Sequence, residues 1–164
     1  MNFVAILMGS KSDYDFMKEA AKTLEDFGVK YELIITSAHR SPKRTKEYIS
    51  SAEEKGAKVF IAAAGMAAHL AGAVAAYTTK PVLGVPMPGG NLASMDSLFS
   101  TVQMPSGIPV GTLAIGKAGA INAAYLAMQI LALNDEDLSQ KLKNDRLIKE
   151  QRLEADSKEV EVLL

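Results

Sequence analysis

The sequence has no cysteine and no tryptophan. Without cysteine there are no disulfide scaffolds, zinc–thiolate sites, iron–sulfur clusters or thiolate nucleophiles. Histidine is scarce: His39 and His69 are the only two in 164 residues. Imidazole chemistry near neutral pH therefore rests on that pair. Neither sign of charge is in surplus, with 18 Lys plus Arg against 19 Asp plus Glu and a formal net charge of −1. A basic face for a nucleic-acid backbone is not provided for. No apolar run approaches a membrane span. The start, Met1 to Met8, has no basic segment ahead of its apolar run, which stops at Gly9. A soluble cytoplasmic protein with neither nucleic acid nor membrane as partner is the expectation.

Hydrophobic residues make up 48% and charged residues 23%, ordinary usage for a globular chain. The length suits one domain over residues 1–164, with a core to about 133 and a helical arm over about 134–164. Phe3 to Met8 is apolar without alternation, as in a strand buried on both faces. Helical spacing follows at Phe16, Met17, Ala20, Ala21, Leu24 and Phe27, with Ser12 or Asp13 as N-cap and Gly28 as stop. Tyr31 to Thr36 reads as a second strand, and Pro42 suits the first turn of a helix ending near Gly56. Val59 to Ala63, Val82 to Val85 and Thr112 to Ile115 read as further strands. Helices are expected over His69 to Tyr77, Met95 to Val102, Ala118 to Leu133 and Glu136 to Glu154.

Such alternation predicts an α/β fold: a central parallel sheet with helices on both faces and a C-terminal helical arm. Ligands in such sheets bind beyond the carboxyl ends of the strands. That rule alone places Ser10, Asp13, His39, Arg40 and His69 on one rim. The Pro/Gly-rich segment Pro86 to Pro109 reads as a functional loop or an interface. The apolar helix after Gly116 suggests packing between subunits.

Three loops carry chemistry. Met8-Gly9-Ser10-Lys11-Ser12-Asp13 joins a strand to a helix, where open N–H groups and hydroxyls suit a small anion; it equally suits a simple capped turn. It has neither P-loop nor dinucleotide spacing. In Ser37-Ala38-His39-Arg40-Ser41-Pro42, Arg40 offers a planar fork for phosphate or carboxylate, and His39 beside it suits proton transfer. In Ala64-Gly65-Met66-Ala67-Ala68-His69-Leu70, small residues let a flat ligand approach the backbone. His69, early in a helix, reads as a neutral hydrogen-bonding group or a buried structural histidine. Two histidines on separate loops predict no metal site.

Taken in order, these loops with Asp96-Ser97-Leu98-Phe99-Ser100-Thr101-Val102-Gln103-Met104-Pro105 and Gly107 to Gly116 resemble the class I N5-carboxyaminoimidazole ribonucleotide mutases of bacterial purine biosynthesis. The resemblance runs from about Val4 to Leu133. It implies a flavodoxin-like three-layer core, a homo-octamer with C-terminal helices reaching over neighbours, a small ribonucleotide substrate and no cofactor. It implies transfer of a carboxylate from the exocyclic amine to ring carbon-4, with His39 as general acid and base. Arg40 and Ser37, helped by Ser10 and Ser12, would hold the phosphate, and Asp13 the ribose. Gly65, Met66 and Ala67 would meet the migrating carboxylate, with His69 and Leu70 beside it. The chain departs from the family pattern at Met66, where the family has glycine, and at Ala71, where it has proline. The same fold and substrate would serve direct carboxylation by dissolved carbon dioxide; Arg40 directly after His39 favours the mutase. A non-catalytic phosphate-ligand sensor is the alternative of another class.

Overall fold

The computed structural model describes residues 2–163. The elements are β1 (Phe3–Met8), a 3-10 turn (Lys11–Asp13), α1 (Tyr14–Asp26), β2 (Tyr31–Ile35), α2 (Pro42–Lys55), β3 (Ala57–Ala64), α3 (Leu70–Tyr77), β4 (Val82–Pro86), α4 (Met95–Val102), β5 (Gly111–Thr112), α5 (Lys117–Ala132) and α6 (Glu136–Val160). The five strands are all parallel, in the order β2-β1-β3-β4-β5. This is the flavodoxin-like order, and its winding reverses between β1 and β3. The chain forms two compact units, one ending at Met128 and the other beginning at Gln129. Among the described residues, no helix is long and apolar enough to cross a membrane.

The unalternating apolar run of β1 has the expected cause. All six of its residues are buried, because both faces of the sheet are covered. Phe3, Ala5 and Leu7 join Phe60 and Ala62 of β3 in a cluster with Ile49 of α2 and Leu70 and Val74 of α3. On the other face lie Met17 and Leu24 of α1 and Ala120, Ala124 and Met128 of α5, all fully buried. Phe27 and Tyr125 close that layer edge to face, with centroids 5.6 Å apart. At about 25 cal/mol per Å² of apolar surface, each buried Leu, Ile or Phe contributes on the order of 1.5–3 kcal/mol.

Local signals set the helix ends. Pro42 opens α2, where its missing N–H costs nothing. Gly56 closes it at φ 107°, its N–H donating to the carbonyls of Ala52 and Glu53. Asp13 stands at the N-cap position of α1, one of the two residues expected there, but makes no side-chain cap bond to it. The 3-10 turn ahead of it is capped by Ser10, its Oγ accepting from Ser12 N–H at 3.3 Å while Asp13 Oδ2 accepts from Ser10 N–H at 3.0 Å.

β5 is also shorter than the expected Thr112 to Ile115. Leu113 N–H still donates to Gly84 O, but Pro86 has no N–H to return the bond. Its carbonyl accepts instead from Gly116 N–H, and the ladder slips. α6 runs on to Val160 instead of stopping at Glu154, since no Gly or Pro interrupts residues 155–160. Gly84 of β4 has a different importance. A Cβ there would stand 2.4 Å from Thr101 Cγ2, so only glycine lets α4 lie this close to the sheet.

Candidate active site

The loops after β1, β2 and β3 converge at the carboxyl ends of the strands, at the β1/β3 switch point. They surround a pocket of about 610 Å³. Every sequence-predicted site residue lines it: Ser10, Ser12 and Asp13 from the first loop, Ser37, His39 and Arg40 from the second, and Gly65, Met66, Ala67, His69 and Leu70 from the third.

The first two loops are joined by Arg40, whose Nη2 donates to Gly9 O at 2.9 Å. The Arg40 side chain is otherwise solvent-facing, leaving further N–H groups of its fork for an anion. Ser37 Oγ accepts from Arg40 N–H at 3.1 Å, and Ser12 Oγ donates to Ser10 Oγ at 2.9 Å. Behind them, Thr36 Oγ1 meets Thr45 Oγ1 at 2.8 Å and Ser41 Oγ at 3.2 Å, and Ser41 Oγ accepts from Ser37 N–H at 2.9 Å. Ser41 stands at the N-cap of α2 but turns its hydroxyl back to Ser37 instead of capping the helix. This network, buried at Thr36 and Thr45 and half-buried at Ser37 and Ser41, fixes the turn that presents His39 and Arg40.

Asp13 is buried at the pocket floor. Burial pushes its carboxyl above the ordinary value, opposed by the Ser10 N–H, the positive charge of Arg40 and the Gly9 backbone.

His39 and His69 meet directly. His39 Nε2 and His69 Nδ1 are 2.7 Å apart, with ring planes at 78°. A hydrogen bond there needs one N–H and one lone pair, so either ring can donate but not both at once. His69 is therefore neither a buried structural residue nor independent of His39; its side chain is exposed to the pocket and bonded to the other imidazole. Sequence placed both on one rim but gave no sign of this contact, since 30 positions separate them.

The third loop is built around Met66, which has φ 54°. This left-handed conformation costs a side-chain-bearing residue roughly 1–2 kcal/mol and costs glycine little. Glycine would take this conformation without that cost. Ala71 is buried at the second position of α3. Among the described residues, no protein acceptor takes the N–H of Gly65, Met66 or Ala67. These three donors sit at a pocket edge where an anion would satisfy them.

A fourth wall comes from Met87, Pro88, Gly89 and Gly90, within the segment marked by its prolines and glycines but not assigned to the site residue by residue. Gly9, Ala38 and Ala64 also line the pocket. They carry no functional side chain, so composition could not reveal them. Among the described residues, no three His, Asp or Glu side chains cluster in a way that could hold a metal ion.

The profile of the family described as AIR carboxylase matches residues 3–152. The chain belongs to the AIR carboxylase family. Among AIR carboxylase relatives, the N5-carboxyaminoimidazole ribonucleotide mutase of Vibrio vulnificus is 58% identical over 139 residues, covering 85% of this chain and 86% of the relative. The mutase of the same name from Escherichia coli is 56% identical over 143 residues, covering 87% and 85%. The solved structure of Treponema denticola PurE superposes with a TM-score of 0.89 at 27% identity, covering 99% of this chain and 100% of that one. The AIR carboxylase match thus spans all three site loops and α4.

Proposed function

We propose that this chain is an isomerase that moves the carboxylate of N5-carboxyaminoimidazole ribonucleotide from the exocyclic amine to ring carbon-4. The single observation that carries the reading is the His39–His69 pair, placed between an Arg/Ser anion cradle and three open backbone donors. The substrate comes from the names of relatives that are more than half identical.

In this reading Arg40, Ser37, Ser10 and Ser12 hold the phosphate. One oxygen of Asp13 is engaged by Ser10 N–H, and the carboxylate has capacity left for a ribose hydroxyl. The N–H groups of Gly65, Met66 and Ala67 receive the migrating carboxylate, and Leu70 contributes apolar wall. His39 gives a proton to the amine nitrogen as the nitrogen–carboxylate bond breaks and carbon dioxide forms. Ring carbon-4 attacks the carbon dioxide, making the new carbon–carbon bond. His39 then takes the proton from carbon-4. One proton is given and one returned, so the balance needs no oxidant, reductant or metal. His69 accepts from or donates to His39 as the proton moves, keeping its ring oriented.

The reading includes a homo-octamer in the cytoplasm. Leu147, Ile148, Leu153 and Val160 of α6 are exposed, and such apolar side chains suit a second copy of the chain. Light scattering tests the octamer; a monomer in solution would remove it.

The activity is tested with the carbamate substrate in buffer stripped of bicarbonate. Turnover there supports the mutase. An absolute bicarbonate requirement would assign direct carboxylation instead.

A further inference from the structure

The helix α4 does not line the pocket, yet it holds two of its walls. Ser97 and Ser100 lie three residues apart and so share one face of the helix. The buried Ser97 Oγ donates to Met87 O at 2.9 Å, fixing the start of the Met87–Gly90 wall. Ser100 Oγ accepts from Ala68 N–H at 2.9 Å and lies 3.3 Å from Met66 O and 2.6 Å from Asp96 O. The hydroxyl's one proton has its shortest acceptor in Asp96 O, so its hold on the turn that contains the strained Met66 is the bond accepted from Ala68 N–H.

We infer that Ser100 is a positioning residue that holds the Gly65–Ala68 turn so that its free N–H groups face the migrating carboxylate. The inference rests on the mutase reading for its chemistry, but the holding itself is a property of the turn. A residue in a left-handed conformation persists only where its surroundings over-determine it. Ser100 supplies that constraint from outside the loop, and Gly84 lets α4 come close enough to supply it. The phosphate cradle of Ser10, Ser12, Ser37 and Arg40 shares no hydrogen bond with Ser100. Ser100 therefore acts on the carboxylate step and not on nucleotide binding.

The test compares Ser100→Ala and Ser100→Thr with the unmodified protein. Ser100→Ala should lower kcat about tenfold or more, the size expected when a single orienting hydrogen bond is lost. It should also release more free aminoimidazole ribonucleotide per turnover, as carbon dioxide escapes a loosened turn. Affinity for aminoimidazole ribonucleotide, which carries no migrating carboxylate, should stay within about twofold, since no bond to the phosphate cradle is touched. Ser100→Thr keeps the hydroxyl and should recover most of the rate. Amide hydrogen exchange, read without substrate, should accelerate about tenfold at Ala68 and His69, whose N–H groups are bonded to Ser100 Oγ and Ala67 O, in Ser100→Ala and stay unchanged at residues 40–45. Unchanged exchange at Ala68 and His69 overturns the holding role whatever the activity. Unchanged kcat and release with faster exchange overturns its consequence for the reaction. An equal loss of nucleotide affinity would mean general loosening and overturns it too. Failure of the unmodified protein to turn over the carbamate would instead count against the mutase reading, while the exchange result still decides the role of Ser100.

Discussion

His39 Nε2 and His69 Nδ1 form one hydrogen bond of 2.7 Å across two loops. Residues that act as a unit lose activity non-additively. His39→Asn should lower kcat by about 10²–10⁴-fold, the range for a general acid–base group, and leave nucleotide binding within a few-fold. Adding His69→Asn to that variant should cost little more, although His69→Asn alone should be clearly impaired. Single and double variants measured together check this; independent, multiplying losses would contradict the pair as a unit.

Arg40 bridges to Gly9 and carries the exposed fork of the proposed anion cradle. Arg40→Ala removes hydrogen bonds to a charged group, each worth about 1.5–3 kcal/mol. The dissociation constant for aminoimidazole ribonucleotide should rise by one to two orders of magnitude. Titration calorimetry reads this, and an unchanged constant would take Arg40 out of the phosphate site.

Asp13 gives a pH signature. Its carboxyl is raised above the ordinary value chiefly by burial, so the folded protein binds this proton more tightly than the unfolded chain. Its contribution to stability is fully present below the unfolded value of about 3.9 and lost as pH rises through the higher folded value. Asp13→Asn stays neutral throughout. The stability of Asp13→Asn relative to the unmodified protein should therefore increase as pH rises from the acid range to neutrality. Urea melts at several pH values test this, and an opposite slope would mean that Arg40 and the backbone donors outweigh burial.

Met66 sits at φ 54° with an exposed side chain. Met66→Gly removes a backbone cost of roughly 1–2 kcal/mol but adds unfolded-chain entropy worth about 0.4–1 kcal/mol. A net gain of roughly 0–1.6 kcal/mol is expected, visible as a higher midpoint in denaturant. A clear loss would show that Met66 packing outweighs the strain.

Much of this was legible in the sequence because period and punctuation agree. The unbroken apolar run of β1, Pro42 and Gly56 around α2, and the small residues of α3 each have one good solution in a parallel sheet. The rim rule then collected the site loops. What remained hidden depends on contacts between distant residues. The His39–His69 bond, the Arg40 bridge to Gly9 and the reach of Ser100 to Met66 and Ala68 join positions 30 or more apart. The short β5 depends on which edge of Pro86 faces its neighbour, and the Ser10 cap on how Asp13 turns back. No local pattern records either.

The central claim is that the carboxylate travels within one enzyme-bound substrate. Carbamate substrate labelled with ¹³C at the carboxylate, turned over in unlabelled bicarbonate, tests it most directly. The account predicts that most of the label appears at the carbon attached to ring carbon-4. Product carrying only unlabelled carboxylate would contradict it.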